Sequence, residues 1–179
     1  LEAAWRPGHL DGVATVVARL FGLVRPNRAY FGLKDYQQFL LVRRLSADLA
    51  LPVELRGCPT LREADGLAMS SRNRYLDPQA RTLATEIFRA LKACAKAAQL
   101  GERSIRRLRQ AGLKNLSRVP GLKIQYFEVV DQATLEPLRS LEGPARVLTA
   151  CVLKGTRLID NLPLALGRAR PQGKAQAHA

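Results

Sequence analysis

The run from Arg28 to Cys58 narrows the fold more than any other part of the sequence. RAYFG (28–32) is a short β-prone stretch closed by a glycine. Asp35 then opens the helically periodic YQQFLLVRRLSADLA, and Pro52 leads into a second β-prone stretch, VELRGCP. Strand, glycine turn, helix and strand at this spacing predict a parallel βαβ unit. A further helix is predicted just upstream. In LDGVATVVARLFGLVR (10–25), Val13, Val16, Val17, Leu20, Phe21 and Val24 fall at helical spacing, and Pro26 follows the last turn. Together these elements make half of a doubly wound sheet.

After the loop TLREADGLAMSSRNRYL the texture changes. Asp77 and Pro78 begin a long helical pattern that reaches about Leu100, and Gly101 separates it from a second, basic helical stretch at 102–116. From Leu122 the pattern is β: KIQYFEVVD, RVLTACVLKG and TRLIDN, with turn signals at Gly143-Pro144 and Gly155. The predicted fold class is α/β, with the second half of a Rossmann-like domain over 1–68. A smaller α+β domain with an antiparallel sheet follows over 69–165. Residues 166–179 form a basic tail without hydrophobic period, expected to be disordered.

Composition sets the outer limits. With 179 residues, 47% of them hydrophobic and 25% charged, the chain can bury a real core. The longest nearly unbroken apolar stretch, Val147 to Leu153, contains Thr149 and falls far short of the roughly 18 residues of a membrane span. The opening LEAAWRPGH lacks the pattern of a secretory leader, so a soluble cytoplasmic protein, or part of one, is expected. Cys58, Cys94 and Cys151 show neither C-x-x-C nor a paired framework and read as reduced structural thiols. His9 and His178 are the only histidines, too few for a histidine zinc site, and no protein metal ligands are expected.

Three segments carry candidate chemistry. FGLKDYQQ (31–38) lies at the carboxyl end of a strand, where open α/β sheets hold ligands. Gly32 permits close backbone approach and Lys34 reaches a phosphate, while Gln38, one helical turn beyond Lys34, faces the same crevice. Asp35 reads either as a helix cap or as a ligand contact. In the loop at 66–76, Met69-Ser70-Ser71-Arg72 offers two hydroxyls and a guanidinium, a set that suits a phosphate chain. The other reading is a polar turn capping the next helix, with Met69 as core filler. Arg6 and His9 of RPGH precede a helix, as an anion site or as a structural histidine.

The segments LEAAWRPGHLDGVATVV, FGLKDYQQFLLVRRLSADL, GCPTLREADGLAMSSRNRYL and RLIDN, in this order, resemble the pantothenate synthetase family of the nucleotidyltransferase superfamily, from Leu1 to about Asn161. The resemblance implies ATP-dependent condensation of pantoate with β-alanine through a pantoyl-adenylate, giving pantothenate, AMP and pyrophosphate. It implies that Gly32, Leu33, Lys34 and Asp35 form an ATP-binding segment and that Gln38 holds pantoate. Leu61, Met69, Ser70, Ser71 and Arg72 would be further ATP contacts, the last four as a KMSKS-type loop. Lys34, Ser70, Ser71 and Arg72 would carry the chemistry, and Mg²⁺ would accompany ATP. A homodimer is the family's usual assembly.

Leu33 departs from the family's common glutamate, and Leu10 from its phenylalanine. The family's first strand, its HxGH motif and its first pantoate-binding glutamine lie upstream of anything matched here. RPGH is not a degenerate HxGH, because Arg6 takes the first histidine position and RPGHLDGV matches a later segment. The expectation is therefore a carboxy-terminal portion, inactive alone, that needs the amino-terminal part and exposes an unpaired strand edge. The rival reading is a basic module for nucleic acid or an anionic surface. Residues 102–118, ERSIRRLRQAGLKNLSR, hold six cations and one acid. With few aromatics near those cations and no recognised nucleic-acid motif, a solvated helix face is the better account.

Overall fold

The computed structural model describes residues 1–167; the tail expectation from 168 onward lies outside the described residues. The chain opens with a short helix α1 (Glu2–Trp5) and the longer α2 (His9–Val24). Strands β1 (Arg28–Gly32) and β2 (Glu54–Cys58) pair in parallel, from Arg28 opposite Glu54 to Gly32 opposite Cys58. Between them a 3-10 turn (Leu33–Asp35) leads directly into the crossover helix α3 (Tyr36–Asp48). The βαβ unit is thus formed as its spacing predicts. Phe21 of α2 meets Phe31 of β1 edge-on, with ring centroids 6.4 Å apart. Yet α2 has no fully buried residue, and Val16, Leu20, Leu23 and Val24 are exposed, as is Tyr30 on β1. Among the described residues β1 has β2 as its one strand neighbour, so its outer edge is open.

Helix α4 (Pro78–Gln99) starts where sequence expects, because the Asp77 carboxylate accepts the Ala80 N–H at 2.7 Å and proline occupies the first turn. Helix α5 (Ile105–Leu116) starts later than the pattern at 102 suggests. The Glu102 carboxylate accepts the N–H groups of Arg103 and Ser104, at 2.9 and 2.8 Å, and holds that backbone ahead of the helix. Strands β3 (Leu122–Asp131), β4 (Ala145–Leu153) and β5 (Thr156–Leu164) form an antiparallel sheet in the order β3-β4-β5. Lys154 and Gly155, with φ of 45° and 78°, close the β4-β5 hairpin in the primed-turn sense that matches strand twist.

Strand β4 is buried on both faces. Ala145, Val147, Cys151 and Leu153 face α4 and α5, together with Phe127 and Val129 of β3. Leu148 and Ala150 face the other way, packing with Tyr126, Val130, Tyr36 and Leu40 and so joining the antiparallel sheet to α3. A β-bulge between Ile124 and Tyr126 leaves Gln125 without a cross-strand partner. The extra residue lets Leu122 and Ile124 share the α4-α5 face with Phe127 and Val129, and it turns Tyr126 toward α3.

Helix α5 buries Leu108, Gly112 and Leu116 and keeps Arg106, Arg107 and Lys114 exposed. Arg109 donates to the Phe127 carbonyl and to Glu128, both at 2.8 Å. This is the arrangement of an amphipathic helix with a solvated basic face. A Cβ on Gly112 would fall against the Phe127 ring and 3.0 Å from the Ala90 carbonyl oxygen. Gly112→Ala is therefore expected to destabilise by about 1–3 kcal/mol through overpacking, despite alanine's advantage of about 1 kcal/mol in a helix. Urea unfolding reads the difference, and a more stable variant would show that helix propensity outweighs the clash.

All three cysteines are free thiols. Burial pushes Cys94 up to about 12 and Cys151 to about 11, which makes both inert structural groups. Among the described residues no helix is long and apolar enough to cross a membrane.

Candidate functional site

Two consecutive residues of β5, Asp160 and Asn161, organise the site because neighbouring strand side chains point to opposite faces. Asp160, 3% exposed, receives a bidentate pair from Arg62, Nη1 at 2.6 Å and Nη2 at 2.9 Å. The same guanidinium donates to the Gly66 carbonyl at 3.1 Å and stacks 3.7 Å from the centroid of the Phe88 ring of α4. Gly66, at φ 92°, allows the loop this close; a Cβ there would lie 2.6 Å from the Phe88 ring. Arg62 thereby fastens the loop at 61–69, which folds back on itself through Met69 N–H to Leu61 carbonyl at 2.9 Å. Asn161, on the other face, donates its Nδ2 to the carbonyls of Leu33 and Lys34, each at 2.9 Å.

Between these two fastenings lies a cavity of about 170 Å³. Arg6, His9, Lys34, Asp35, Gln38 and Arg72 all line it. Gln38 and Lys34 thus share a crevice, as their spacing predicts. His9 is the first residue of α2, and Gly8 before it takes the left-handed conformation that starts the helix. Asp35 makes no side-chain cap bond to α3 and no ion pair among the described residues, so its capping role is not realised. Gly32 ends β1 in extended geometry, and a Cβ there would meet nothing within 4 Å; the space beside it is open. Leu33 is half-buried in the cluster beneath the turn.

The serine-rich loop divides its tasks. Ser70 Oγ accepts the Arg72 N–H at 3.3 Å and caps the 3-10 turn Ser71–Tyr75, whereas the next helix, α4, is capped by Asp77 and not by this loop. Ser71 and Arg72 are exposed. Asn73, buried, donates to Glu63 and to the Ala68 carbonyl and ties the turn to the loop at 61–69. Leu61 and Met69 are exposed and do not line the cavity; Met69 is not core filler. A wider opening of about 520 Å³, lined by Arg6, Arg72, Tyr75, Lys154 and Arg157, adjoins the cavity through Arg6 and Arg72.

A second network closes the cavity floor. Glu2, 6% exposed, accepts from Tyr126 Oη at 2.8 Å and from Arg157 Nη2 at 2.7 Å. Gln37 donates to Tyr126 Oη at 3.1 Å and accepts the Glu2 N–H at 3.2 Å. Burial alone would raise the Glu2 carboxyl, but the bonds from Arg157 and Tyr126 and the charges of Arg157 and Arg6 outweigh it and hold the group below its ordinary value. Burial, then the charge of Glu2, pushes the Tyr126 phenol up, so it stays a donor. A depressed acid contributes stability that is present above its unfolded value of 4.5 and is lost as pH falls through the lower folded one. Melting temperature should therefore fall more steeply below pH 4.5 in the wild type than in Glu2→Gln, and parallel curves would remove Glu2 from the acid transition.

With Glu2 and Asp160 each held by an arginine, Arg6, Lys34 and Arg72 outnumber Asp35 and leave the cavity lining cationic. Such a cavity at the carboxyl end of a parallel strand pair, roofed by a second sheet, defines an α/β protein with an anion-directed cleft. The chain belongs to the pantoate-β-alanine ligase family, whose sequence model matches residues 1–163. A pantothenate synthetase of Thermus thermophilus is 52% identical over 161 residues, covering 90% of this chain and 58% of that protein. One from Cereibacter sphaeroides is 49% identical over 165 residues, 92% of this chain and 58% of the relative. A crystal structure of the Thermus thermophilus enzyme superposes with a TM-score of 0.88 at 51% identity, covering 90% of this chain and 58% of that one. The pantoate-β-alanine ligase of Francisella tularensis, complexed with beta-gamma ATP and β-alanine, superposes with a TM-score of 0.67 at 30% identity, covering 90% of this chain and 53% of that one. The chain thus spans little more than half the length of the relatives it matches.

The residues that sequence reading left without a role are Glu2, Arg62, Tyr126, Asp160 and Asn161. One signal for the last two was present: consecutive polar residues, Asp160-Asn161, in the otherwise apolar RLIDNLPL. No local signal marks Arg62 or Glu2.

Proposed function

We propose that this chain carries the ATP and pantoate sites of a pantothenate synthetase. The observation that supports it most is that Lys34, Gln38 and Arg72, from three separate elements, line one cationic cavity. In this reading 1–68 is the nucleotide-binding portion and 69–165 a smaller domain that closes over it. Pantoate's carboxylate attacks the α-phosphorus of ATP, the bond to the bridging oxygen breaks, and pyrophosphate leaves. The amine of β-alanine then displaces AMP from the acyl carbon. Lys34 and Arg72 neutralise the triphosphate as charge shifts to the leaving group, with Ser70 and Ser71 as further donors, and Gln38 orients pantoate. Gly32, Leu33, Asp35, Leu61 and Met69 form the surroundings of the nucleotide.

Mg²⁺ fits this site only as a companion of the nucleotide. Among the described residues no three His, Cys, Asp or Glu side chains cluster, so Asp35 is the carboxylate left to meet a phosphate-bound ion, which would lower the charge on the leaving group.

Pantoate-dependent exchange of labelled pyrophosphate into ATP tests the proposal. The expected result is no exchange with the chain alone and exchange when an amino-terminal half bearing the HxGH motif is added. Failure in both arrangements would overturn it, and salt-sensitive DNA binding by the same preparation would then favour the basic face of α5 as the working surface.

A further inference from the structure

Arg146 on β4 is 6% exposed and has no carboxylate within ion-pair distance among the described residues. Its side chain stands on the same face as Leu148 and Ala150, toward α3, where an apolar residue would match its neighbours. A buried guanidinium without a counter-charge costs several kcal/mol, and replacing such groups by apolar ones is often neutral or stabilising. What Arg146 does instead is specific. Its guanidinium lies 3.8 Å from the centroid of the Tyr36 ring, and Nη1 donates to Asn161 Oδ1. Nε has no acceptor among the described residues.

An arginine has donors and no acceptor, so it can meet the Asn161 amide only through the oxygen. The nitrogen must then face the other way, toward the carbonyls of Leu33 and Lys34, both 2.9 Å off. The flipped amide would set donor against donor at Arg146 and oxygen against two carbonyls at the turn. Tyr36, stacked on the same guanidinium, is the residue that follows the turn, and its hydroxyl donates to the Gln132 carbonyl at 2.9 Å. One buried cation therefore grips the Leu33–Asp35 turn from two sides.

We infer that Arg146 is a positioning residue that locks the Asn161 amide in one orientation and thereby holds the Leu33-Lys34 backbone, and with it the Lys34 side chain, against the cavity. Its consequence for nucleotide binding rests on the reading of that cavity proposed above; the lock itself does not.

The test compares Arg146→Met, Asn161→Asp and Arg146→Lys in the full chain by three measurements: thermal unfolding, hydrogen exchange of the amides of residues 33–38, and calorimetric titration with ATP. Arg146→Met should unfold at the same or a higher temperature while exchange in 33–38 accelerates and ATP affinity falls, each by about tenfold, the equivalent of one or two lost hydrogen bonds. Asn161→Asp gives Arg146 a carboxylate but takes both donors from the turn and sets an acceptor against the carbonyls of Leu33 and Lys34, so it should melt at a lower temperature and show the same two losses. Arg146→Lys retains a donor for Oδ1 and should recover most of the protection.

Wild-type exchange in 33–38 for Arg146→Met would overturn the lock, as would acceleration spread through β4 with a lowered melting temperature, the mark of a merely structural residue. A wild-type chain that binds no ATP would count against the cavity reading alone, because the exchange measurement still decides the lock.

Discussion

Asp160→Ala should lower the unfolding free energy by about 3–5 kcal/mol, the range for a buried ion pair robbed of one partner. Arg62 is left with its guanidinium between β5 and α4, 17% exposed, and with only the Gly66 carbonyl and the Phe88 ring for company. For a chain of this size the loss corresponds to a melting temperature lower by on the order of 10 °C. Denaturant unfolding followed by circular dichroism measures it directly. The double variant Arg62→Met, Asp160→Leu separates the pair from the position, since it removes both charges and should recover most of the stability. A loss below about 1 kcal/mol for Asp160→Ala would mean that the pair behaves like a surface salt bridge. The loop at 61–69 should also become sensitive to proteases in the single variant, because Arg62 is its main fastening to the sheet.

Lys34→Ala is expected to leave stability within about 0.5 kcal/mol and to reduce pantoate-dependent pyrophosphate exchange by about 10²- to 10³-fold, the loss typical of one preorganised charge-stabilising donor. The measurement uses the chain supplemented with the amino-terminal half, under the conditions in which the wild type exchanges. Gln38→Ala makes the contrast. Its loss should appear chiefly as a raised KM for pantoate, because an orienting amide acts on one substrate and not on the triphosphate. Equal behaviour of the two variants toward ATP and pantoate would contradict the division of labour proposed for the two side chains, which line the same cavity from the 3-10 turn and from α3.

The βαβ unit was legible because its signals are local. The glycine after RAYF, the apolar period of α3 and the proline before β2 each act within a few residues. The three antiparallel strands and the Asp77 cap of α4 were legible for the same reason. Lys34, Gln38 and Arg72 stood out because cations and amides beside glycine- and serine-rich turns have a chemical meaning that spacing can carry. The fastenings that bring them together had no such mark. Arg62 and Asp160 are 98 residues apart in sequence, and Tyr126 and Glu2 are 124 apart. The bulge at Gln125 breaks the period of two inside KIQYFEVVD, so a simple alternation assigns Leu122 and Ile124 to the wrong face relative to Phe127 and Val129. Asp35 misleads for a different reason. It occupies a capping position by sequence, but a 3-10 turn precedes the helix, and the carboxylate is left facing the cavity.

The alternation at Asp160-Asn161 also sets a rule for how this chain can change length over evolution. Deleting one residue between the Lys154-Gly155 turn and Asp160 would turn every following side chain over. Asn161 would then take the place opposite Arg62, Asp160 would move to the place of Ile159, and Leu162 would stand before the carbonyls of Leu33 and Lys34. Deleting two would keep the faces but draw both residues about 7 Å along the strand, out of reach of either partner. Residues 156–161 therefore tolerate substitution far better than insertion or deletion.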